Sequence, residues 1–180
     1  MNAIVVYESV YGNTREVAEA IAEGVGDARV FPVHEAANDV RGYELVVVGG
    51  PTHMHGMASS SSRHAAVEAL HEDGNAHRVE PGATEEPGLR AWLRDLAEGP
   101  EVRAATFDTR LDRSPWLTGA ASRGIAKRLR HRRYEVVDSE SFLVEESEGP
   151  LADGEVDRAR EWGRKLASMM PVGATPSRVS

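Results

Sequence analysis

The 180-residue chain is 41% hydrophobic and 28% charged, ordinary values for one soluble globular domain with a single core. Its formal net charge of −8 argues against nucleic acid as a general partner, because neutralising phosphates requires a cationic face. Cysteine is absent, and no run approaches the ~20 apolar residues that span a bilayer, so disulfides, thiolate chemistry and membrane insertion are excluded.

Strands and helices are predicted to alternate along the chain. The apolar run from Ile4 to Tyr7 indicates a strand covered on both faces, and residues 14–25 carry apolar side chains at helical spacing. Alternation of this kind implies right-handed crossovers and a parallel sheet with helices on both faces. The remaining predicted strands are 29–33, 45–48, 102–107 and 134–144, and the remaining predicted helices are 60–71, 87–97, 119–130 and 155–169.

Residues 1–170 are therefore expected to form one domain, in which 57–88 is an inserted loop region. Within it, 74–88 is rich in glycine, proline and charge, which favours an exposed, mobile loop. The last ten residues, 171–180, are expected to be a flexible tail. No secretory signal precedes the first strand, which favours a cytoplasmic protein.

The turn SVYGNT, residues 9–14, joins the first strand directly to the first helix. Backbone N–H groups at a helix N-terminus point toward such a turn, where the helix dipole adds partial positive charge. Gly12 permits close backbone approach, and hydroxyl and amide side chains add donors, so the turn is suited to an anion such as phosphate. Ordinary helix capping by Asn13 or Thr14 is the alternative that the composition leaves open.

Other phosphate-binding motifs lack the residues that their chemistry requires. The turn contains no GxxxxGK sequence followed by serine or threonine, and it has one glycine where the dinucleotide fingerprint has three. A phosphate-accepting receiver domain would need acidic residues after the first strand, where this chain has only Glu8. It would also need an aspartate at the end of the third strand, where this chain has Gly49-Gly50-Pro51.

The strand–SVYGNT–helix sequence resembles the phosphate loop of flavodoxins, with Tyr11 in place of the usual central threonine. The resemblance implies an α/β three-layer sandwich with a five-stranded parallel sheet of order 2-1-3-4-5. It also implies FMN at the carboxyl ends of the strands, as in the short-chain members. The implied phosphate-binding residues are Ser9, Val10, Tyr11, Gly12, Asn13 and Thr14.

The same resemblance implies that two further loops reach the flavin ring. Pro51, Thr52, His53 and Met54 would border one side of it, and Asp108, Thr109 and Arg110 would meet its polar edge. Trp116 would either stack on the ring or pack under its loop. His53 and His55 are two apart but have no third ligand nearby, so no metal site is predicted.

Arg110 leads to a hypothesis about redox tuning. A cation near the ring would favour the fully reduced, anionic flavin, by the same electrostatics that shift the pKa of a neighbouring acid. The alternative is a solvated arginine that pairs with Asp108 or Asp112.

Three functions are compatible with the sequence. The first is an FMN-binding carrier that passes electrons between a reductase and an acceptor, with no catalytic residue of its own. The second is an FMN-dependent NAD(P)H:quinone or small-molecule reductase, in which the 57–88 region borders a substrate pocket or a dimer contact. The third is a flavodoxin-like interaction module without flavin. Whether the chain is an enzyme, and its oligomeric state, stay open.

Overall fold

A computed structural model describes residues 1–26, 28–53, 56–72, 79–112, 119–146 and 148–170. The strands are β1 Ala3–Tyr7, β2 Ala28–Pro32, β3 Leu45–His53, β4 Gly56–Met57, β5 Arg103–Leu111 and β6 Glu135–Val144. The helices are α1 Asn13–Val25, α2 Ser60–Glu72, α3 Leu89–Asp95, α4 Ala121–His131 and α5 Glu155–Ser168.

Five strands form a parallel sheet of order β2-β1-β3-β5-β6, which confirms the predicted order. The structure adds a sixth strand, because β4 turns back antiparallel to the end of β3, pairing Thr52 with Met57 and His53 with Gly56. Residues 51–53, predicted as a loop, therefore belong to a strand.

Alternation along the central strands divides the apolar side chains between two cores. Val5 and Tyr7 pack toward α1 and α5, where Trp162 and Leu166 cover them. Ile4 and Val6 point the other way, into the cluster that contains α3 and α4. Because both faces of β1 and β3 are buried, their sequences read as continuous apolar runs.

Strand β5 is longer than the sequence predicts. The expected end was Phe107, but pairing with β6 continues to Leu111 opposite Val144. Asp108, Thr109 and Arg110 consequently lie on a strand and not in the loop that follows it. Their polar side chains break the apolar pattern, although the backbone ladder does not stop.

The inserted region is also more ordered in its contacts than the sequence predicts. Helix α2 agrees with the predicted helix, and α3 is shorter than predicted. Residues 79–88, which we call the strap, contain the buried Ala83, and Glu80 donates its N–H to the Val10 carbonyl (2.9 Å). Residues 79–88 are a loop, as predicted, but Ala83 and Gly88 in it are buried and not exposed. Residues 73–78 and the predicted tail lie outside the described residues.

Across the described ranges, no helix combines the length and the apolar character that crossing a membrane requires.

Helices α1 and α5 touch through glycines. A Cβ placed on Gly24 would overlap the carbonyl oxygen of Arg160, and one placed on Gly163 would overlap that of Ile21. The two backbones therefore approach more closely than any side chain would permit.

We expect Gly163→Ala to lower the free energy of unfolding by about 1–3 kcal/mol, because the added methyl group must push two backbones apart. Helix propensity alone predicts a gain of about 1 kcal/mol. The matched control is Gly124→Ala in α4, whose Cβ would meet Met57 Cε at 3.4 Å and Arg128 Nη1 at 3.7 Å, ordinary contact distances. Urea unfolding of the wild type and both variants measures these changes in the free energy of unfolding. Equal changes in the two variants would contradict the close contact between α1 and α5.

Candidate functional site

The candidate site lies at the carboxyl ends of β1, β3 and β5. The chain leaves β1 toward β2 on one side, whereas β3 leads to β5 on the other, so the strand order reverses between β1 and β3. Ligands of open α/β sheets bind at this point of reversal.

The turn after β1 forms an uncapped helix N-terminus. Gly12 is the N-cap of α1 with φ of 87°, a left-handed conformation that favours glycine, and no side chain of the described residues caps it. Its N–H donates to Ser9 Oγ (3.1 Å), and its carbonyl accepts from Glu16 N–H (3.0 Å). The N–H groups of residues 13–15 precede the first intrahelical bond and therefore point out of the helix.

Side chains of this turn fix the direction in which the helix end faces. The Thr14 and Thr109 hydroxyls are 2.8 Å apart and buried, which ties the start of α1 to β5. Asn13 Nδ2 donates to the Glu148 carbonyl (3.2 Å) in the β6–α5 connection. The helix end thus faces the strand that carries the predicted ring-binding residues.

Two predicted site residues cap another helix. Thr52 Oγ1 accepts from Ala121 N–H (3.0 Å), and Asp108 Oδ2 accepts from Ser122 N–H (2.8 Å), so both serve the N-terminus of α4. Asp108 is fully buried, and within the described chain its Oδ1 has no hydrogen-bond partner. Burial raises the pKa of Asp108 above its ordinary value, against the hydrogen bonds from Ser122.

The other predicted ring contacts lie close to this edge. His53 ends β3 beside β4, and burial lowers the pKa of His53, which favours a neutral imidazole. Arg110 is half-buried and donates from Nη1 to the Leu111 carbonyl (3.3 Å). It lines a groove of about 460 Å³ with Ser122 and Arg158 among others. Met54 and Trp116 lie outside the described residues.

Sequence reasoning missed a buried ion pair directly beneath the turn. Glu8 and Arg63 are 4% and 2% exposed, and Arg63 Nη1 lies 2.8 Å from Glu8 Oε2. The same oxygen accepts from Leu89 N–H (2.8 Å), while Arg63 Nη2 contacts Glu86 Oε1 (2.6 Å). A lone acid after a strand and an arginine 55 residues later give no sequence signal for this pairing.

The strap brings a second ion pair to the turn. Glu80 Oε1 lies 2.9 Å from Arg15 Nε, on the first turn of α1. Arg15 directly follows the motif, but its partner is remote in sequence.

Comparison with known proteins agrees with this architecture. A family model described as a flavodoxin domain matches residues 4–92, from β1 into α3. Residues 4–92 therefore match a flavodoxin domain, and the rest of the chain continues the same fold. Flavodoxins bind FMN. No curated protein sequence matches this chain.

Solved flavodoxin structures share its fold over nearly the whole chain. An archaeal flavodoxin is 19% identical, covers 93% of this chain and 97% of its own, and has a TM-score of 0.59. Flavodoxin 1 from Bacillus cereus is 16% identical with coverages of 95% and 100% and a TM-score of 0.61. The two-electron reduced flavodoxin of Megasphaera elsdenii is 18% identical with coverages of 91% and 98% and a TM-score of 0.54.

We expect Arg63→Ala to lower the free energy of unfolding of the protein by about 3–5 kcal/mol, because Glu8 would keep a buried charge without a cation. Adding Glu8→Gln should recover part of this loss. Arg41→Ala is the control, since Arg41 and Asp39 form an exposed pair at 2.6 Å, which contributes little to stability. Denaturant titration gives the values, and equal losses for the two arginines would contradict a buried pair.

Asp108 should make stability depend on pH. Since the native pKa of Asp108 lies above 3.8, its contribution to stability is fully present below the unfolded pKa and is lost as pH rises through the native pKa. The free energy of unfolding of the wild type minus that of Asp108→Asn should therefore decrease as the pH rises above about 4. Urea titrations of both apoproteins across this range measure it, and a constant difference would contradict the raised pKa.

Proposed function

We propose that this chain binds FMN and carries electrons between a reductase and an acceptor. The observation that supports it is the uncapped N-terminus of α1, at the point where the strand order reverses, turned toward β5. Three outward N–H groups and the helix dipole favour a dianionic phosphate there.

The side chains around this helix end fit a phosphate group. Ser9 Oγ accepts from Gly12 N–H, which leaves its own O–H to donate to a ligand oxygen. Thr14 and Thr109 share one hydrogen between their oxygens, so the second hydroxyl hydrogen is available as well. The main-chain N–H groups of 13–15 would hold the phosphate together with these hydroxyls.

The ends of β3 and β5 would border the ring. Bound FMN supplies the redox chemistry, while the protein supplies binding, orientation and electrostatics. The pKa of His53 is lowered, so a neutral imidazole would border the ring without adding a charge. Arg110 remains the candidate for favouring the reduced anion, as the sequence suggested.

The acidic net charge of −8 suits docking to a basic surface on a redox partner. A carrier accepts electrons from a protein reductase and reacts slowly with NADPH itself. The purified protein should therefore be yellow with FMN and stay oxidised for minutes after anaerobic addition of NADPH. Immediate bleaching by NADPH would contradict the carrier and favour an FMN-dependent reductase. Protein that takes up no FMN would refute both functions.

The backbone at Gly12 provides a sharper test of the phosphate site. Gly12→Ala should raise the dissociation constant for FMN at least about tenfold. An L-residue is strained at this φ by about 1–2 kcal/mol, so the turn would relax away from the conformation that directs the N–H groups of residues 13–15 at the phosphate. Fluorescence titration of FMN measures the change.

Gly154→Ala is the matched control. Gly154 is also a helix N-cap with positive φ (83°), at the start of α5, and nothing lies within 4 Å of its Cβ position. It should lose similar stability and keep its affinity for FMN. Equal affinities for FMN in both variants would place the phosphate elsewhere.

A further inference from the structure

An arginine and a glutamate meet beside the proposed phosphate site. Arg15 is the third residue of α1, and side chains of helices lean toward the helix N-terminus, here toward the SVYGNT turn. Its Nε lies 2.9 Å from Glu80 Oε1, and its Nη1 lies 3.7 Å from Glu19 Oε1 on the next turn.

The position of this pair relative to the N-cap is well defined. A Cβ on Gly12 would lie 3.3 Å from Glu80 Oε2 and 4.0 Å from Arg15 Nη2. Both charged groups therefore flank the residue that opens the helix. The Glu80 side chain is 12% exposed, whereas that of Arg15 is 46% exposed and has room to move.

The strap holds Glu80 by contacts that do not involve its carboxylate. Glu80 N–H donates to the Val10 carbonyl, and its carbonyl accepts from Ala83 N–H (3.1 Å). At its other end the strap is anchored by Glu86 on Arg63. A partly exposed ion pair contributes little to stability, so the strap does not depend on Arg15.

A carboxylate beside a phosphate site opposes the ligand. At this site Glu80 is paired with Arg15, so the charge of the arginine is not available to a ligand. The Glu80 carboxylate would also repel a dianion bound next to it. Release of Arg15 from Glu80 would give the phosphate a charge-assisted donor, and Glu80 would turn toward water.

We infer that Arg15 binds the phosphate of FMN and that Glu80 competes with this phosphate for the arginine. The inference rests on the proposed FMN site and adds to it a cation that the motif itself lacks. Glu80 then limits FMN affinity, and the inserted region acts on cofactor binding.

The test compares Arg15→Gln, Glu80→Gln and the double variant in titrations with FMN and with riboflavin, which lacks the phosphate. Arg15→Gln should raise the dissociation constant for FMN about tenfold, the size of one charge-assisted hydrogen bond, and weaken its dependence on salt. Glu80→Gln should lower that constant, and the gain should be smaller when Arg15 is also replaced. Riboflavin affinity should not change in any variant.

Matched controls are Arg41→Gln and Asp39→Asn, which make the same charge changes in an exposed pair next to the amino end of β3. They should leave FMN affinity unchanged. If the Arg15–Glu80 pair were merely structural, both of its variants would weaken FMN binding, and this result would overturn the inference.

Two further outcomes separate the inference from the proposed function. Unchanged FMN affinity in both variants of a wild type that binds FMN overturns the inference alone. A wild type that binds neither FMN nor riboflavin overturns the proposed function and the inference with it.

Discussion

The hydrogen-bonding demand of helix N-termini organises the carboxyl edge of this sheet. Buried N–H groups require acceptors, and neighbouring strands supply them for two helices. Glu8 at the end of β1 accepts from the first residue of α3, and Thr52 and Asp108 accept from the first two of α4. Helix α1 starts at the same edge on a glycine, without a side-chain cap among the described residues. Helix α5 also starts on a glycine without such a cap, but α1 starts where the strand order reverses, and this position makes its end the one suited to an external anion.

Capping by buried carboxylates has an electrostatic consequence for this edge. Glu8 is matched by the equally buried Arg63, so an ion pair holds α2 to the end of β1. Asp108 has one backbone donor on Oδ2, and burial raises the pKa of Asp108. The inserted region thus contributes Arg63, Glu80 and Glu86 to the surroundings of the phosphate turn, and it is part of the site's architecture.

The sequence predicts the layers of this fold because strand alternation and helical spacing are local signals. Val5 and Val6 point to opposite cores, as an apolar strand buried on both faces requires. The ends of β3 and β5 were missed, since polar residues such as Asp108 continue a ladder that only the partner strand reveals. The Glu8–Arg63 and Arg15–Glu80 pairs were missed because each joins residues more than fifty positions apart, a separation without sequence periodicity.

The outer edge of β6 is not available for pairing with a strand of a partner protein. Its outward N–H groups at Ser139, Ser141 and Leu143 donate to carboxylates of Asp138, Glu140 and Glu155, respectively. Arg158 donates to the Ser141 carbonyl. An edge satisfied in this way offers no template for another strand. At this edge, reversible association by the proposed carrier would therefore use side-chain contacts and not strand pairing. The carboxyl edge, where the flavin ring would lie, is the surface over which electron exchange requires close approach.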